Sequence, residues 1–344
     1  MKLFNCRIVA AISAALFCGS VTQAAQPAFQ PKDFAKTLVR SGQCTGAFGQ
    51  SSWKCAAIDV PVWIKTPKEG ALDRRAFVLV SHGSEGVTIR HNHYADQLIA
   101  NGFSVAVIDH WSPRGVALAH LDFEKARVSG GDPTNMTIDA LATATVLRKR
   151  PEYADFKFGY LGQSMGAAAA IWALKWFPYD ATAQIIGEKP KEFDALVGIS
   201  AGFLQRNAKE RFKDTPILFL SGELDDDTPA APMKELVTWM APRGNPHAEI
   251  VVLPGEWHDF DGPYAWGYWP KAGGTLKCQV EVKPDEQVYE SVETKKTYPL
   301  TAAGWVEFRT ACTTYGVHSG LLKGQQRLGF DVWTKFLVEK LAAQ

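Results

Sequence analysis

Residues 157–171 read Lys-Phe-Gly-Tyr-Leu-Gly-Gln-Ser-Met-Gly-Ala-Ala-Ala-Ala-Ile, and this stretch decides the fold. Its first five residues are typical of a buried strand and its last five of a helix, with residues 162–166 as a sharp turn between them. Glycines two residues before and after Ser164 allow a strained serine backbone, because side chains there would collide with the strand and the helix. The pattern predicts that Ser164 stands exposed at the carboxyl end of a strand, where open α/β sheets bind ligands.

Strand-like and helix-like segments alternate on both sides of this turn. The predicted strands lie at residues 77–80, 103–108, 157–161, 194–200, 216–221 and 248–253. The predicted helices lie at residues 134–149, 166–177, 230–240 and about 322–342. A further antiparallel strand is expected at residues 57–64, at the edge of the sheet. This alternation predicts an α/β fold with a mostly parallel central sheet and helices on both faces.

The amino terminus resembles a signal peptide. Lys2 and Arg7 flank its start, residues 8–17 are apolar, and small or polar residues lead to a cleavage site at Ala24. The apolar run is well short of the ~20 residues of a membrane-spanning helix. Residues 1–24 are therefore expected to be removed, and residues 25–344 to form a single domain of an exported protein, periplasmic or secreted.

Four cysteines remain beyond residue 24, and an even number in an exported chain predicts disulfides. Three pairings are possible. We prefer Cys44 with Cys55 and Cys278 with Cys312, because each pair closes a local loop. The second pair brackets an insertion at about residues 260–315, where the strand and helix pattern stops. This insertion is either a lid over a functional site or a disulfide-linked surface segment.

A serine hydroxyl is a weak nucleophile, so Ser164 needs a base that is itself held by an acid. In a fold with this turn, the acid and then the histidine follow the serine along the chain. His247 precedes strand 248–253 and lies at the wrong end of the sheet. His258 follows that strand at the same edge as Ser164, and is the candidate base. His318 is interpreted as a structural or solvent-facing histidine near the final helix.

The acid that holds the histidine is expected in the segment that follows strand 216–221, where several carboxylates reach the same edge of the sheet as Ser164. Asp225 is the preferred partner of His258. Asp226 and Asp227 remain alternatives for this role, and one of them can instead cap the helix that begins near Pro229.

The negative charge that forms when a serine attacks a carbonyl needs two backbone N–H donors. Met165, directly after the candidate nucleophile, can supply the first. The loop at residues 81–86 follows another strand, and Ser84 is the candidate for the second. His82 is interpreted as a buried, hydrogen-bonded residue that shapes this loop.

The sequence gives little support for a metal site, a cofactor site or a nucleic-acid partner. His91 and His93 form a His-x-His pattern near His82 and His110, but without matched carboxylates this is a weak metal signal, and we expect no metal and no cofactor. Asp109 and His110 are expected to line the active edge. The chain has 37 basic and 36 acidic residues, so no excess of positive charge points to a nucleic-acid partner.

The residues carrying these roles resemble the dienelactone hydrolase-like branch of the α/β hydrolases, in its serine-nucleophile form. The similar motifs are residues 82–86 (His-Gly-Ser-Glu-Gly), 162–166 (Gly-Gln-Ser-Met-Gly), 222–225 (Gly-Glu-Leu-Asp) and 257–260 (Trp-His-Asp-Phe). The resemblance covers about residues 55–260 and the last helix. The chain differs from dienelactone hydrolases proper, which use a cysteine where this chain has Ser164.

The resemblance implies hydrolysis of a small-molecule carboxylic ester through an acyl-enzyme, without a cofactor. It places the triad on Ser164, Asp225 and His258. Two alternatives stay open: an acyltransferase that uses the same acyl-enzyme, and a binding protein that kept the fold without the activity.

Overall fold

The structure is a computed structural model that describes residues 28–46, 53–116, 123–202, 205–322 and 326–342. The expected signal peptide, residues 1–24, lies outside these ranges. Within them, no helix combines the length and the apolar character needed to cross a membrane.

The described chain alternates strands with helices. In chain order the strands are β1 (Ala35–Thr45), β2 (Lys54–Lys65), β3 (Ala76–Ser81), β4 (Ser104–Ile108), β5 (Lys157–Gln163), β6 (Ala195–Ile199), β7 (Gln205–Asn207), β8 (Ile217–Gly222), β9 (Ala248–Leu253), β10 (Gly267–Gly274), β11 (Val280–Lys283), β12 (Val288–Ser291), β13 (Thr297–Pro299) and β14 (Thr314–Ser319). The α-helices are α1 (Ile89–Ala100), α2 (Phe123–Val128), α3 (Pro133–Arg148), α4 (Met165–Trp172), α5 (Phe177–Ile186), α6 (Ala230–Met240), α7 (Ala302–Cys312) and α8 (Gln326–Leu341).

Eight strands form the central sheet in the order β1-β2-β4-β3-β5-β6-β8-β9. From β4 to β9 all neighbours are parallel, whereas β2 pairs antiparallel with both β1 and β4. The expected α/β hydrolase architecture is therefore confirmed. Because the parallel strands point the same way, the loops after β3, β5, β8 and β9 all leave the sheet at one edge.

Both faces of the sheet are covered, which explains its continuous apolar strands. Every residue of β3 and β8 is buried. One face packs against Met136 and Leu141 of α3 and the alanines of α4. The other face packs against Tyr94 of α1 and Trp333 of α8. The core thus holds the sheet rigid while its carboxyl edge carries the functional loops.

Two expected elements need correction. The strand predicted at residues 57–64 is β2, but it lies second in the sheet, because the unpredicted β1 pairs along its whole length and forms the edge. The helix predicted at residues 166–177 ends at Trp172, and a separate helix begins at Phe177. Pro178 occupies the first turn of this second helix, where its missing N–H needs no partner, so it starts a new helix and cannot extend the old one.

The segment at about residues 260–315, where the sequence showed no pattern, contains strands and a helix. β10 pairs with β14, while β11 pairs with β12 and with the short β7 of the main body. Disulfides join Cys278 to Cys312 and Cys44 to Cys55, which confirms the preferred pairing. The insertion is thus a folded unit attached to the main body by strand pairing.

Candidate active site

Ser164 occupies the turn between β5 and α4 in the conformation that its sequence predicts. Its backbone has φ 51° and ψ −110°, a region that residues with side chains rarely adopt. A Cβ at Gly162 would lie 2.1 Å from the Gly166 carbonyl oxygen, and a Cβ at Gly166 would lie 2.6 Å from the Ser81 carbonyl oxygen. Both glycines are therefore required by close backbone contact, and the half-buried serine stands at the carboxyl edge of the sheet.

His258 and Asp225 meet at the same edge, in the loops after β9 and β8. His258 Nδ1 lies 2.9 Å from Asp225 Oδ2. The other carboxylate oxygen of Asp225 accepts the backbone N–H groups of Thr228 at 2.7 Å and Asp227 at 3.0 Å. The carboxylate is therefore fixed by its own loop, and it orients the imidazole so that Nδ1 carries the proton.

The serine and histidine segments are joined by the residues beside them. Gln163, directly before Ser164, donates a side-chain hydrogen bond of 2.5 Å to Asp259, directly after His258. Among the hydrogen bonds of the described residues, none joins the Ser164 hydroxyl to His258. Hydrogen bonds of this kind are often long in free enzymes and tighten only when substrate binds.

Carboxylates determine the protonation of His258. Burial alone would lower the pKa of this imidazole, but the negative charges of Asp225, Asp227 and Asp259 outweigh burial and hold the pKa well above its ordinary value. Burial also raises the pKa of Asp227 to about 7.

The loop at residues 82–86 packs directly on the turn that carries Ser164. A Cβ at Gly83 would lie 2.3 Å from the side-chain oxygen of Gln163. Trp111 anchors the loop by donating its indole N–H to the Ser84 carbonyl oxygen at 3.3 Å. Met165 begins α4, so its backbone N–H belongs to the helix turn without intrahelical acceptors. Met165 directly follows the serine, and the loop that carries Ser84 packs against Gln163; the donor roles of Ser84 and Met165 remain predictions.

The histidines near this loop are buried. His82 Nε2 accepts the backbone N–H of His110 at 3.1 Å, so its Nδ1 carries the proton and donates to the Gly83 carbonyl oxygen at 2.7 Å. Burial lowers the pKa of His82 to about 3. In the part of the chain that the structure describes, no group of histidine, cysteine or carboxylate side chains is arranged to hold a metal.

The expectation that Asp109 and His110 line the active edge is wrong for His110. His110 has no exposed surface, because its Nδ1 pairs with Asp139 at 2.8 Å inside the core. Asp109 accepts the backbone N–H groups of Trp111 and Ser112 and so ends the strand in a tight turn.

Beside the site, one expectation is confirmed and one is corrected. His318 is a structural histidine, and it lies on β14 with its Nδ1 2.7 Å from Asp226 Oδ2. Asp226 therefore binds the strand that pairs with β10 of the insertion. The N-cap position of α6 is Pro229, and no side chain caps that helix. The ring of His318 stacks on Trp266 with centroids 5.5 Å apart.

A buried ion cluster beside the site was missed by the sequence reasoning. The fully buried guanidinium of Arg90 lies 2.8 Å from Asp259 and 2.9 Å from Asp261, and Glu85 approaches it at 3.7 Å. Tyr94 donates its hydroxyl to Asp261 at 2.7 Å. Arg90 and Asp261 are 171 residues apart in the chain, so no local pattern signals their pairing.

A sequence profile of the dienelactone hydrolase family matches residues 60–276. The chain belongs to the dienelactone hydrolase family. The match covers nearly all of the expected range of about residues 55–260 and extends into the insertion, but it does not include the last helix. Membership of this family supports the assignment of the protein as an ester hydrolase.

Solved structures agree with the fold of this dienelactone hydrolase family member. Esterase 2 of Thermogutta terrifontis phosphorylated by paraoxon is 12% identical, with a TM-score of 0.51, over 92% of this chain and 98% of that chain. The same esterase phosphoramylated by tabun is 11% identical, with the same TM-score and coverage. At this identity the likeness shows the fold alone. A search of curated protein sequences finds no match.

Proposed function

We propose that this protein is an exported serine esterase that cleaves a small carboxylic ester through an acyl-enzyme intermediate. Ser164 is the nucleophile, His258 the general base and Asp225 the acid that orients it. The observation that supports this proposal best is the 2.9 Å contact between His258 and Asp225 at the sheet edge where the strained Ser164 stands. Family membership supports the ester as the bond that is cleaved.

The chemistry follows from the two nitrogens of His258. Asp225 accepts a hydrogen bond from the N–H at Nδ1, so Nε2 has a free lone pair that takes the hydroxyl proton as Ser164 attacks the ester carbonyl carbon. The tetrahedral oxyanion receives hydrogen bonds from the backbone N–H groups of Met165 and Ser84. When the ester bond breaks, His258 returns the proton to the leaving alcohol, and water then cleaves the acyl-enzyme by the same steps.

Export is supported by two disulfides, since such bonds persist in oxidising compartments. The expected cleavage after Ala24 can be measured directly. The intact mass of the protein recovered from the periplasm or medium of an expressing cell should correspond to residues 25–344. Recovery of full-length chain from the cytoplasm alone would contradict export.

The test of the catalytic proposal uses short-chain aryl esters and a serine-reactive fluorophosphonate. The wild type should release p-nitrophenol and gain the mass of one probe less HF, because fluoride leaves as the serine oxygen bonds to phosphorus, with the modified peptide containing Ser164. Ser164→Ala should lose both properties while its circular dichroism spectrum stays unchanged. Equal labelling or equal hydrolysis by the two proteins would reject Ser164 as the nucleophile.

A further inference from the structure

His258 has a carboxylate on each side of its ring. Asp225 faces Nδ1, whereas Asp227 Oδ2 lies 3.6 Å from Nε2. Nε2 is the nitrogen that must receive the serine proton in the proposed mechanism, so Asp227 lies on the side of the ring that Ser164 needs. The triad requires the first carboxylate, and nothing in the triad requires the second.

The position of Asp227 is fixed by the insertion and by Asp225. The backbone N–H and the hydroxyl of Thr275, at the end of β10, both donate to the Asp227 carbonyl oxygen at 2.8 Å. The Asp227 N–H donates to Asp225 at 3.0 Å. With its backbone held from two directions, the carboxylate stays next to the imidazole, and its side chain is only 21% exposed.

We propose that Asp227 is a positioning residue that binds the Nε2 side of His258 and competes with Ser164 for the imidazole in the resting enzyme. The proposal rests on the proposed function, because it concerns the base of that reaction. Above the pKa of Asp227, which burial raises to about 7, an imidazolium held between two carboxylates cannot accept a proton. With Asp227 present, neutral His258, which is the active base, therefore forms only at a higher pH than it would in an isolated Asp-His pair.

Several other charges act on the same pair. His258 is also faced by Asp259 from its own loop and by Glu85 from the loop after β3. Asp227 is also faced by Asp225, Asp226 and Asp259, and by Arg309 from α7. Most of these groups are carboxylates, so the surroundings favour the protonated imidazole. Among the ion pairs of the described residues, Asp227 is the partner on the Nε2 side.

The test compares the pH dependence of kcat/KM for p-nitrophenyl acetate in the wild type, Asp227→Asn and Asp226→Asn. An opposite charge within about 4–6 Å shifts a pKa by about 1–3 units. The acid limb of Asp227→Asn should therefore move to lower pH by about one unit or more, which makes this variant at least about fivefold faster than the wild type one unit below the wild-type limb. Asp226→Asn is the matched control. It removes the same charge from the neighbouring residue, whose carboxylate binds His318 and not His258.

A second measurement does not depend on catalysis. In a Ser164→Ala background, the imidazole nitrogen shifts of ¹⁵N-histidine-labelled protein report the pKa of His258 directly, and adding Asp227→Asn should lower it by the same amount as the limb. Asp227→Ala replaces Asp227→Asn if the latter loses its native circular dichroism spectrum. An unchanged limb and unchanged imidazole pKa, or equal shifts in Asp226→Asn, would overturn the proposal. Hydrolysis that survives Ser164→Ala would instead reject the proposed function, and the nitrogen titration would still decide the role of Asp227.

Discussion

His258 and His110 each face an aspartate through Nδ1 at nearly the same distance, yet their surroundings are opposite. His258 lies 2.9 Å from Asp225 at the edge of the sheet. His110 lies 2.8 Å from Asp139 inside the core. The inner histidine even has a serine partner, because its Nε2 is 2.9 Å from the Ser81 hydroxyl. The inner arrangement therefore has the full hydrogen-bond sequence of a catalytic triad.

Charge and access separate the inner arrangement from the outer site. Asp139 also accepts two hydrogen bonds from the buried guanidinium of Arg114, at 2.7 and 3.0 Å, so its charge is balanced by a permanent cation. Burial lowers the pKa of His110, whereas three carboxylates raise the pKa of His258. Ser81 has no exposed surface. A serine, a histidine and an aspartate in contact are thus insufficient for catalysis without a strained, accessible serine and a base at an open edge.

The largest effect on the comparison between the two sites is expected for His258→Ala. Removing the general base should lower kcat/KM for an aryl ester by about 10³-fold or more, because the serine then has no proton acceptor. Steady-state hydrolysis of p-nitrophenyl acetate measures the loss, with native circular dichroism as the control for folding. A variant that retained a large part of the activity would show that the outer site is not the catalytic one.

Replacing Asp139 should mainly lower stability, whereas replacing Asp225 should mainly lower activity. Asp139→Asn leaves the Arg114 guanidinium buried without its counter-charge, and should lower the free energy of unfolding by about 3–5 kcal/mol. Asp225→Asn should remove most of the activity and cost less stability, because it mainly disturbs the tautomer of His258. Urea unfolding and ester hydrolysis of both variants provide the measurements. Comparable stability losses in both would mean that the outer pair is also structural.

Much of the outer site could be predicted from the sequence because its requirements are local. The turn at Ser164 needs glycines at fixed positions, and the chain shows them between a strand-like and a helix-like segment. His258 and Asp225 each follow a buried apolar run, and parallel strands bring such positions to one edge. The pairing of Cys44 with Cys55 is also local, since the two residues face each other in neighbouring strands.

The rest depends on contacts between distant segments, which leave no periodic signal. β1 was missed although it pairs with β2 along eleven residue pairs. The strands of the insertion are short, and β11 finds its parallel partner at β7, far away in the chain. The role of Asp139 was equally hidden, because it sits on a helix where its neighbours in sequence gave no hint of His110 and Arg114.

The buried histidines near the inner arrangement should make stability depend on pH. The folded-state pKa of His82 is lowered to about 3, below its ordinary value near 6.5. Between these values the unfolded chain binds a proton that the folded chain does not, so stability falls as the pH falls, by up to about 1.4 kcal/mol per pH unit. His82→Asn should flatten the fall, as measured by urea unfolding from pH 6.5 to 4.5.

The control for this measurement is His247→Asn, which removes an exposed histidine. His258 contributes in the opposite direction, because its raised pKa favours the folded state below pH 6.5 and the benefit is lost as the pH rises through the folded pKa. Both proteins retain His258, so its contribution cancels in the comparison. An equally steep pH dependence in His82→Asn would mean that His82 is protonated in the folded protein.

The smallest effect is expected for Ser81→Ala, which distinguishes the inner serine, Ser81, from the proposed nucleophile, Ser164. The N–H at Nδ1 of His110 donates a hydrogen bond to Asp139, so Nε2 accepts the hydrogen bond from the Ser81 hydroxyl. Ser81→Ala leaves that acceptor unpaired in the core and should lower the free energy of unfolding by about 1–2 kcal/mol. Hydrolysis should stay within about twofold of the wild type, because the alanine keeps the β3 backbone that the catalytic loop follows. Urea unfolding and steady-state kinetics on the same preparation measure both quantities. A loss of activity as large as that of Ser164→Ala would mean that the inner serine takes part in the reaction.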